Sequence, residues 1–245
     1  SIGLFRALDL QASEYQGGQD LIGAWDPASG QFRANYPATM NDLQFLTGPA
    51  VADIGGPDGE EVLAGSSSAD LAAYDASGLP VSGWPKLSTD WTVATPLVGS
   101  FGTTDTDGDA RKVVVGITRS GYVHAYKTSA SACSPSSSPR FHHDNANSGD
   151  YSRDAVLPGV PGSIATNDER TKVRFDAPGD DLLCGTADHY ELATGDEAID
   201  SAGFAGAKPI KAKLAPEPLA PGERQSFDVP EGSERFLAVR AVDEQ

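Results

Sequence analysis

The chain repeats a pattern of short strands about every 50 residues, and this repeat constrains its fold more than any other feature. The fullest copy, residues 95–127, holds three short runs of β-branched and aromatic residues. An acidic, glycine-containing loop separates the first run from the second, and residues 119–121 form a tight turn before the third. This copy predicts a three-stranded antiparallel meander.

Two earlier copies of the pattern precede it. The first, residues 48–75, is almost complete, and a shorter one occupies residues 21–26. The last residue but one of each copy is aromatic, namely Trp25, Tyr74 and Tyr126. A repeated unit of this length, made of short strands, is typical of a propeller blade, which buries only part of its apolar surface and packs against its neighbours.

The order of these pieces resembles FG-GAP/VCBS-type β-propeller repeats. The shared pieces are Pro-x-Val/Leu, an Asp/Gly loop, a Val-rich strand ending in Gly, a strand ending in Tyr-Asp, and Gly83-Trp84-Pro85. The resemblance implies about three blades, in residues 1–44, 45–91 and 92–142, within a propeller region that we place at residues 1–151. Residues 2–8 alternate as the first strand of this region.

Three blades are fewer than the roughly four to eight of a closed propeller, so the region is expected to be the C-terminal part of one. Either an upstream segment of the same precursor or another chain would complete it. Bare blade faces also favour association, so both homo-oligomers and hetero-oligomers stay open as partners.

A linker rich in Pro and Gly is predicted at residues 152–162, after a Ser/Pro-rich stretch at 127–140 that reads as a loop. From about Ser163 the repeat no longer occurs and a different strand pattern begins. Strands are predicted at residues 172–176, 188–192, 210–214, 225–229 and 235–243. Short strands at this spacing, separated by turn signals, predict a β-sandwich.

Residues 163–245 resemble a fibronectin type III domain through residues 175–181, 185–192 and 236–243. Phe175 stands where a Trp is common in that family, and Phe236 where a Tyr is common. The sequence ends before a last strand, so the resemblance implies an immunoglobulin-like sandwich that lacks it. The fold class expected for the whole chain is therefore all-β, a partial propeller followed by a sandwich.

Composition bounds the function. The net charge of −17 opposes binding to nucleic acid and to anionic membrane surfaces, and no apolar run approaches the length of a membrane span. The 27 glycines and 17 prolines favour a turn-rich β protein. Because the repeats resemble those of exported proteins, we expect a secreted or cell-surface protein.

One acidic loop is a weak candidate for calcium, the only cofactor that the sequence suggests. Its carboxylates are Asp105, Asp107 and Asp109, which alternate as calcium ligands do. Related propeller loops close with a carboxylate before the Val-rich strand, but Lys112 occupies that place here. An ammonium opposes cation binding, so a plain Asx-type turn is the favoured interpretation.

The same loop of the earlier copy has lost its middle ligands. Asp53 and Glu61 keep its ends, whereas Gly55 and Pro57 replace the residues between them. Elsewhere, His142 and His143 are expected to lie on opposite faces of a strand, which favours packing over chelation of one metal ion.

No catalytic constellation is found in the sequence. It contains no Gly-x-Ser-x-Gly, His-Glu-x-x-His, Cys-x-x-Cys or glycine-rich phosphate loop. Trp25, Trp84 and Trp91 are candidates for a sugar-stacking surface, although packing between blades is the favoured role of Trp84. His124, between Tyr122 and Tyr126, is expected to be structural.

The two cysteines, Cys133 and Cys184, leave two alternatives open. In an exported protein a disulfide between them is the expected state. The other alternative is two buried free thiols.

These observations favour a non-catalytic extracellular scaffold or binding region of a larger secreted or cell-surface protein. The alternative is the C-terminal accessory region of a secreted hydrolase, such as a subtilisin-like serine protease, with its catalytic domain upstream. A quinoprotein-like oxidoreductase is least favoured, because cofactor ligands and several blades are missing.

Overall fold

The computed structural model describes residues 20–41, 48–101, 110–154 and 156–243. Within them the regular elements are fifteen β-strands, β1–β15, and two short 3₁₀ turns, which confirms the all-β class. The chain forms two compact units, Ser1–Ala155 and Val156–Gln245. The division falls inside the segment where the sequence predicts a linker. The strand predicted at residues 2–8 lies outside the described residues.

The described residues of the first unit form three antiparallel sheets, each with its strands in chain order. The smallest sheet pairs β1 (Leu21–Ile22) with β2 (Ala38–Thr39). The four-stranded sheet consists of β3 (Ala50–Ala52), β4 (Glu61–Gly65), β5 (Asp70–Tyr74) and β6 (Lys86–Leu87). The third sheet consists of β7 (Leu97–Gly99), β8 (Arg111–Ile117) and β9 (Val123–Ser131), as the meander at residues 95–127 predicted.

The four-stranded sheet lies between the other two, and every residue of β5 is buried. Successive side chains of a strand point to opposite faces. Leu71 and Ala73 belong to a core shared with β7 and β8, whereas Ala72 and Tyr74 belong to a core shared with β1 and β2. The small alanines allow a neighbouring sheet to approach closely. The three sheets are therefore stacked face to face.

The sequence repeat is also present in the structure. In the turns that follow β1 and β5, Asp26 and Asp75 each accept a hydrogen bond at 2.8 Å from the backbone N–H two residues later. Gly30 and Gly78 each take the positive φ that these turns need, 67° and 76°. Cis peptide bonds, Tyr36–Pro37 and Trp84–Pro85, directly precede β2 and β6.

The Ser/Pro-rich stretch is a loop only in part, so the prediction for residues 127–140 was wrong for its first residues. Strand β9 continues to Ser131, which pairs with Arg111 of β8. Residues 134–139, hereafter the return segment, then run back along β3 and β7. Val51 and Ser138 exchange two backbone hydrogen bonds of 2.8 and 3.0 Å, and the Val98 N–H donates to the Pro139 carbonyl at 2.7 Å.

The second unit has two three-stranded antiparallel sheets around one core. One sheet has the order β10 (Gly162–Thr166), β11 (Lys172–Asp176), β14 (Arg224–Asp228). The other has the order β13 (Lys208–Pro209), β12 (His189–Gly195), β15 (Phe236–Val242). Both sheets supply the core residues, namely Val173, Phe175, Tyr190, Leu192 and Phe227. The rings of Phe175 and Tyr190 meet edge to face, with centroids 5.1 Å apart.

One predicted strand of this unit was wrong. Residues 210–214 do not form a strand, because the chain turns at the 3₁₀ element Ala212–Leu214. This part of the chain pairs with β12 only through the two residues of β13. The pairing ends where the Ile210 N–H donates to the Leu192 carbonyl. Lys and apolar residues alternate there as they do in a strand, but no neighbouring strand pairs with them.

The two cysteines of the chain are both disulfide-bonded, so the bond joins Cys133 and Cys184. The alternative of two free thiols does not hold.

We expect Leu71→Ala to lower the stability of the first unit by about 2–5 kcal/mol, because it opens a cavity in a core that cannot fully collapse. Leu71 is fully buried, whereas Leu87 on the neighbouring strand β6 is 78% exposed. Leu87→Ala is the matched control and should change stability by less than about 0.5 kcal/mol. All three tryptophans lie in the first unit, so tryptophan fluorescence during urea unfolding reports on it alone. Equal losses in the two variants would contradict the stacked arrangement.

Candidate functional site

The weak calcium candidate, Asp105, Asp107 and Asp109, lies outside the described residues. The structure does place Lys112, which stands where the resemblance implies a closing carboxylate. Its side chain is buried, and its Nζ donates hydrogen bonds to the Ser134 and Pro135 carbonyls and to the Ser136 hydroxyl. All three oxygen acceptors belong to residues 134–136 of the return segment. Lys112 thus binds the return segment.

The corresponding loop of the earlier copy is also closed by hydrogen bonds from its own chain. Glu61 is fully buried, and its Oε2 accepts the Ile54 N–H at 2.8 Å. Asp53 accepts the Gly55 N–H at 2.8 Å. Burial is the main reason why the pKa of Glu61 is raised above its usual value, and the nearby Asp53 carboxylate adds to the shift. Among the described residues, no group of three His, Cys, Asp or Glu side chains is placed to hold a metal ion.

The two adjacent histidines have separate partners. They do not lie on a strand, since both have a positive φ. His142 stacks on Phe141, with centroids 3.8 Å apart. His143 is buried, with Nδ1 2.9 Å from the Ser137 carbonyl and Nε2 2.7 Å from the Arg153 carbonyl. His143 therefore ties the return segment to the residues that follow it.

Each tryptophan contacts a different ring or cation, so the structure does not join the three in one cluster. Trp25 stacks on Phe32 at 4.8 Å, and the Arg119 guanidinium lies 4.1 Å from the Trp91 ring. Trp84 packs against the core shared by β5 and β8 and meets Tyr126 edge to face at 6.3 Å. Trp84 thus has a packing role in the first unit.

Four rings form a continuous row, hereafter the aromatic face: Trp84, Tyr122, His124 and Tyr126. The last three alternate along β9 and the residue before it, so they share one side of the sheet. Centroids of neighbouring rings are 6.1 Å apart between His124 and Tyr126 and 6.4 Å between Tyr122 and His124. The row begins at the half-buried Trp84, which packs against the core, and ends in solvent at Tyr122, which is 64% exposed.

Hydrogen bonds and polar groups surround the aromatic face. The Tyr126 hydroxyl donates to the Leu87 carbonyl at 2.7 Å, which fixes the buried end of the row. The Thr89 hydroxyl lies 3.3 Å from His124 Nε2, and the Lys86 ammonium lies 5.4 Å from the Trp84 ring centroid. Rings combined with a few convergent polar groups are typical of a ligand-binding surface.

The aromatic face was missed in the sequence because only three of its four residues are close together in the chain. The fourth, Trp84, is about 40 residues away from them. The alternation Tyr-x-His-x-Tyr at residues 122–126 was the signal for one side of a strand. Trp84 joins the row only because the two sheets are stacked, and no local sequence pattern reveals that stacking. His124 was consequently interpreted as a structural residue alone.

Comparisons with protein families, with characterised proteins and with solved structures find no match for this chain. Within the described residues, no helix is both long enough and apolar enough to span a membrane.

The raised pKa of Glu61 predicts a specific pH dependence. The folded state holds this proton more tightly than the unfolded state, so the Glu61 contribution to stability falls as pH rises from its usual pKa of 4.5 through the raised value. Glu61→Gln removes that titration. We expect the melting temperature of the wild type, relative to that of Glu61→Gln, to fall over this window.

The control for this measurement is Asp58→Asn, which changes an exposed carboxylate in the same loop. Its φ of 66° is one that Asn tolerates. Asp58→Asn removes one negative charge from the same loop, as Glu61→Gln does, without touching the buried carboxyl group, so it controls for the change of charge alone. A constant difference between wild type and Glu61→Gln at all pH values would contradict the role of Glu61.

Proposed function

We propose that this chain is a non-catalytic binding region of a larger secreted or cell-surface protein. The observation that carries the proposal is the aromatic face, a row of rings that is rigid at its buried end and open to solvent at Tyr122. Rigid rings with a polar border provide contact area at a small entropic cost. The sequence has no motif for nucleophilic or metal-assisted hydrolysis, and binding requires none.

The first unit fits the C-terminal part of a β-propeller. Three features support this proposal: antiparallel meanders, burial of both faces of the four-stranded sheet, and a turn that recurs after β1 and β5. Blades of a propeller bury their faces against each other in this way. In that architecture, strands from an upstream segment or from another chain would complete the ring.

The second unit fits a fibronectin type III-like sandwich. The orders β10-β11-β14 and β13-β12-β15 place strands that are distant in sequence beside each other, as two-sheet sandwiches with crossing connections do. In the described residues, β15 pairs antiparallel with β12, which places the sixth strand of this unit beside the third.

An oxidising location is supported by the disulfide, because such bonds are rare in the reducing cytosol. The strongly negative net charge of −17 suits a well-hydrated extracellular surface. Together these properties favour a secreted or cell-surface protein.

The chemistry of the aromatic face fits a carbohydrate ligand. A sugar ring has an apolar face of C–H groups, which can contact an aromatic ring. Its hydroxyl groups can bond to polar neighbours of that ring. Here the rings of Tyr122 and His124 offer the apolar contact, and Thr89 and Lys86 offer the polar ones.

We expect the full chain to bind a subset of glycans on an array, and Tyr122→Ala to weaken that binding by about threefold to tenfold, the effect of one aromatic contact. Phe101→Ala is the matched control, since Phe101 is equally exposed at 61% and lies outside the aromatic face. Circular dichroism should show that both variants remain folded. The proposal fails if no glycan binds, or if both variants lose binding to the same extent.

A further inference from the structure

The hydroxyl group of Thr89 has one hydrogen and two neighbours that compete for it. The Ser88 carbonyl lies 2.6 Å from Thr89 Oγ1, and Nε2 of His124 lies 3.3 Å from the same atom. A carbonyl oxygen can only accept a hydrogen bond, so the shorter contact takes the single hydrogen of the hydroxyl. Thr89 Oγ1 is therefore left as an acceptor toward His124.

The direction of this hydrogen bond assigns the tautomer of His124. A neutral imidazole carries one N–H, and its other nitrogen is an acceptor. Because Thr89 can only accept here, the hydrogen belongs on Nε2, and Nδ1 keeps its lone pair. Within the part of the chain that the structure describes, Nδ1 of His124 has no hydrogen-bond partner.

The loop that carries Thr89 is held in a strained conformation. Thr89 has a φ of 66°, which is rare for a β-branched residue. Ser88 and Thr92 are buried on either side of it, and their hydroxyl oxygens are 3.0 Å apart. The Ser88 N–H also donates to the Ala69 carbonyl at 2.8 Å. Such anchors fix the strained backbone, and strain of this kind is concentrated at sites that bind ligands.

His124 lies at the part of the aromatic face that a ligand can reach. Its half-buried ring is nearly parallel to the ring of Tyr126, with 8° between the two planes. On its other side the exposed ring of Tyr122 is tilted by 44° against it. A sugar ring on Tyr122 would therefore bring the hydroxyl groups of its edge next to His124.

We propose that His124 determines the specificity of the aromatic face, with Nδ1 as the acceptor for one hydroxyl group of a glycan. This role depends on carbohydrate binding at the aromatic face, the function proposed above. A free hydroxyl group can donate to Nδ1, whereas a methyl ether or a fluorine at the same position has no hydrogen to donate. The site selects glycans with a free hydroxyl there, and Thr89 is the positioning residue that keeps Nδ1 as an acceptor.

The first measurement determines the tautomer of His124 in the full chain without any sugar. Nitrogen NMR shifts distinguish an imidazole nitrogen that carries a hydrogen from one that does not. At about pH 8.5, above the range in which histidine side chains usually gain a second proton, we expect the wild type and Thr89→Ser to carry the hydrogen on Nε2. Thr89→Val keeps the β-branched shape but has no acceptor, so the form with the hydrogen on Nδ1 should gain population. A hydrogen on Nδ1 in the wild type would overturn the proposal.

The second measurement titrates the full chain with the methyl glycosides of glucose, galactose and mannose, followed by NMR. Each glycoside is compared with analogues in which one hydroxyl group at a time is replaced by fluorine. We expect a glycoside to bind, and one of its analogues to bind about threefold to tenfold more weakly, the effect of one neutral hydrogen bond. His124→Phe keeps a ring in the row but has no nitrogen, so this difference should disappear in that variant.

The results separate the role of His124 from carbohydrate binding itself. If a glycoside binds but all of its analogues bind equally well, or if the difference persists in His124→Phe, the role of His124 is overturned while carbohydrate binding stands. If no glycoside binds the wild type, the role of His124 is also overturned, since one sugar ring on Tyr122 is all that the contact with Nδ1 requires. The glycan array then decides on carbohydrate binding by itself.

Discussion

Burial of both faces of the four-stranded sheet is the constraint on which the first unit depends. A sheet that is apolar on both sides cannot fold alone, because each face must be covered by another sheet. The chain meets this need by repetition, with related meanders before and after the sheet and with small alanines on both faces of its inner strands. The repeat in the sequence is thus the direct consequence of a stacked core.

Stacking covers the faces of the sheets but leaves their edges, and the return segment covers two of these. Proline has no backbone N–H to donate, but its carbonyl can accept: Pro135 accepts from Asp53, which directly follows β3, and Pro139 accepts from Val98 of β7. Three side chains bind the return segment. Lys112 donates to residues 134–136, the Glu60 carboxylate accepts from the Ser137 N–H and hydroxyl, and His143 contacts the Ser137 carbonyl. The Lys112 ammonium is the buried cation among these contacts, and its place in the repeat is the one where the resemblance implies a carboxylate.

Local sequence patterns predicted the individual strands of this chain better than they predicted which segments pair with each other. The strands at residues 172–176 and the meander at 95–127 carried clear alternation and turn signals, and the structure contains them. The return segment has neither signal, because its pairing with Val51 depends on a contact that is distant in sequence. Strand β9 extends beyond its predicted end for the same reason, since Ser131 is a strand residue only through its pairing with Arg111. The aromatic face likewise arises from the assembly of sheets, since Trp84 and Tyr126 belong to different parts of the chain.

The Lys112 ammonium keeps the return segment on the edge of the four-stranded sheet. Hydrogen–deuterium exchange of the Val51 and Ser138 amides, which bond to each other across that edge, tests this claim most directly. We predict that Lys112→Met accelerates exchange at both amides by about tenfold or more, because three oxygens lose their donor. Lys127→Met, at an exposed position of β9, should leave both rates unchanged. Unchanged protection of Val51 and Ser138 in Lys112→Met would contradict this role of Lys112.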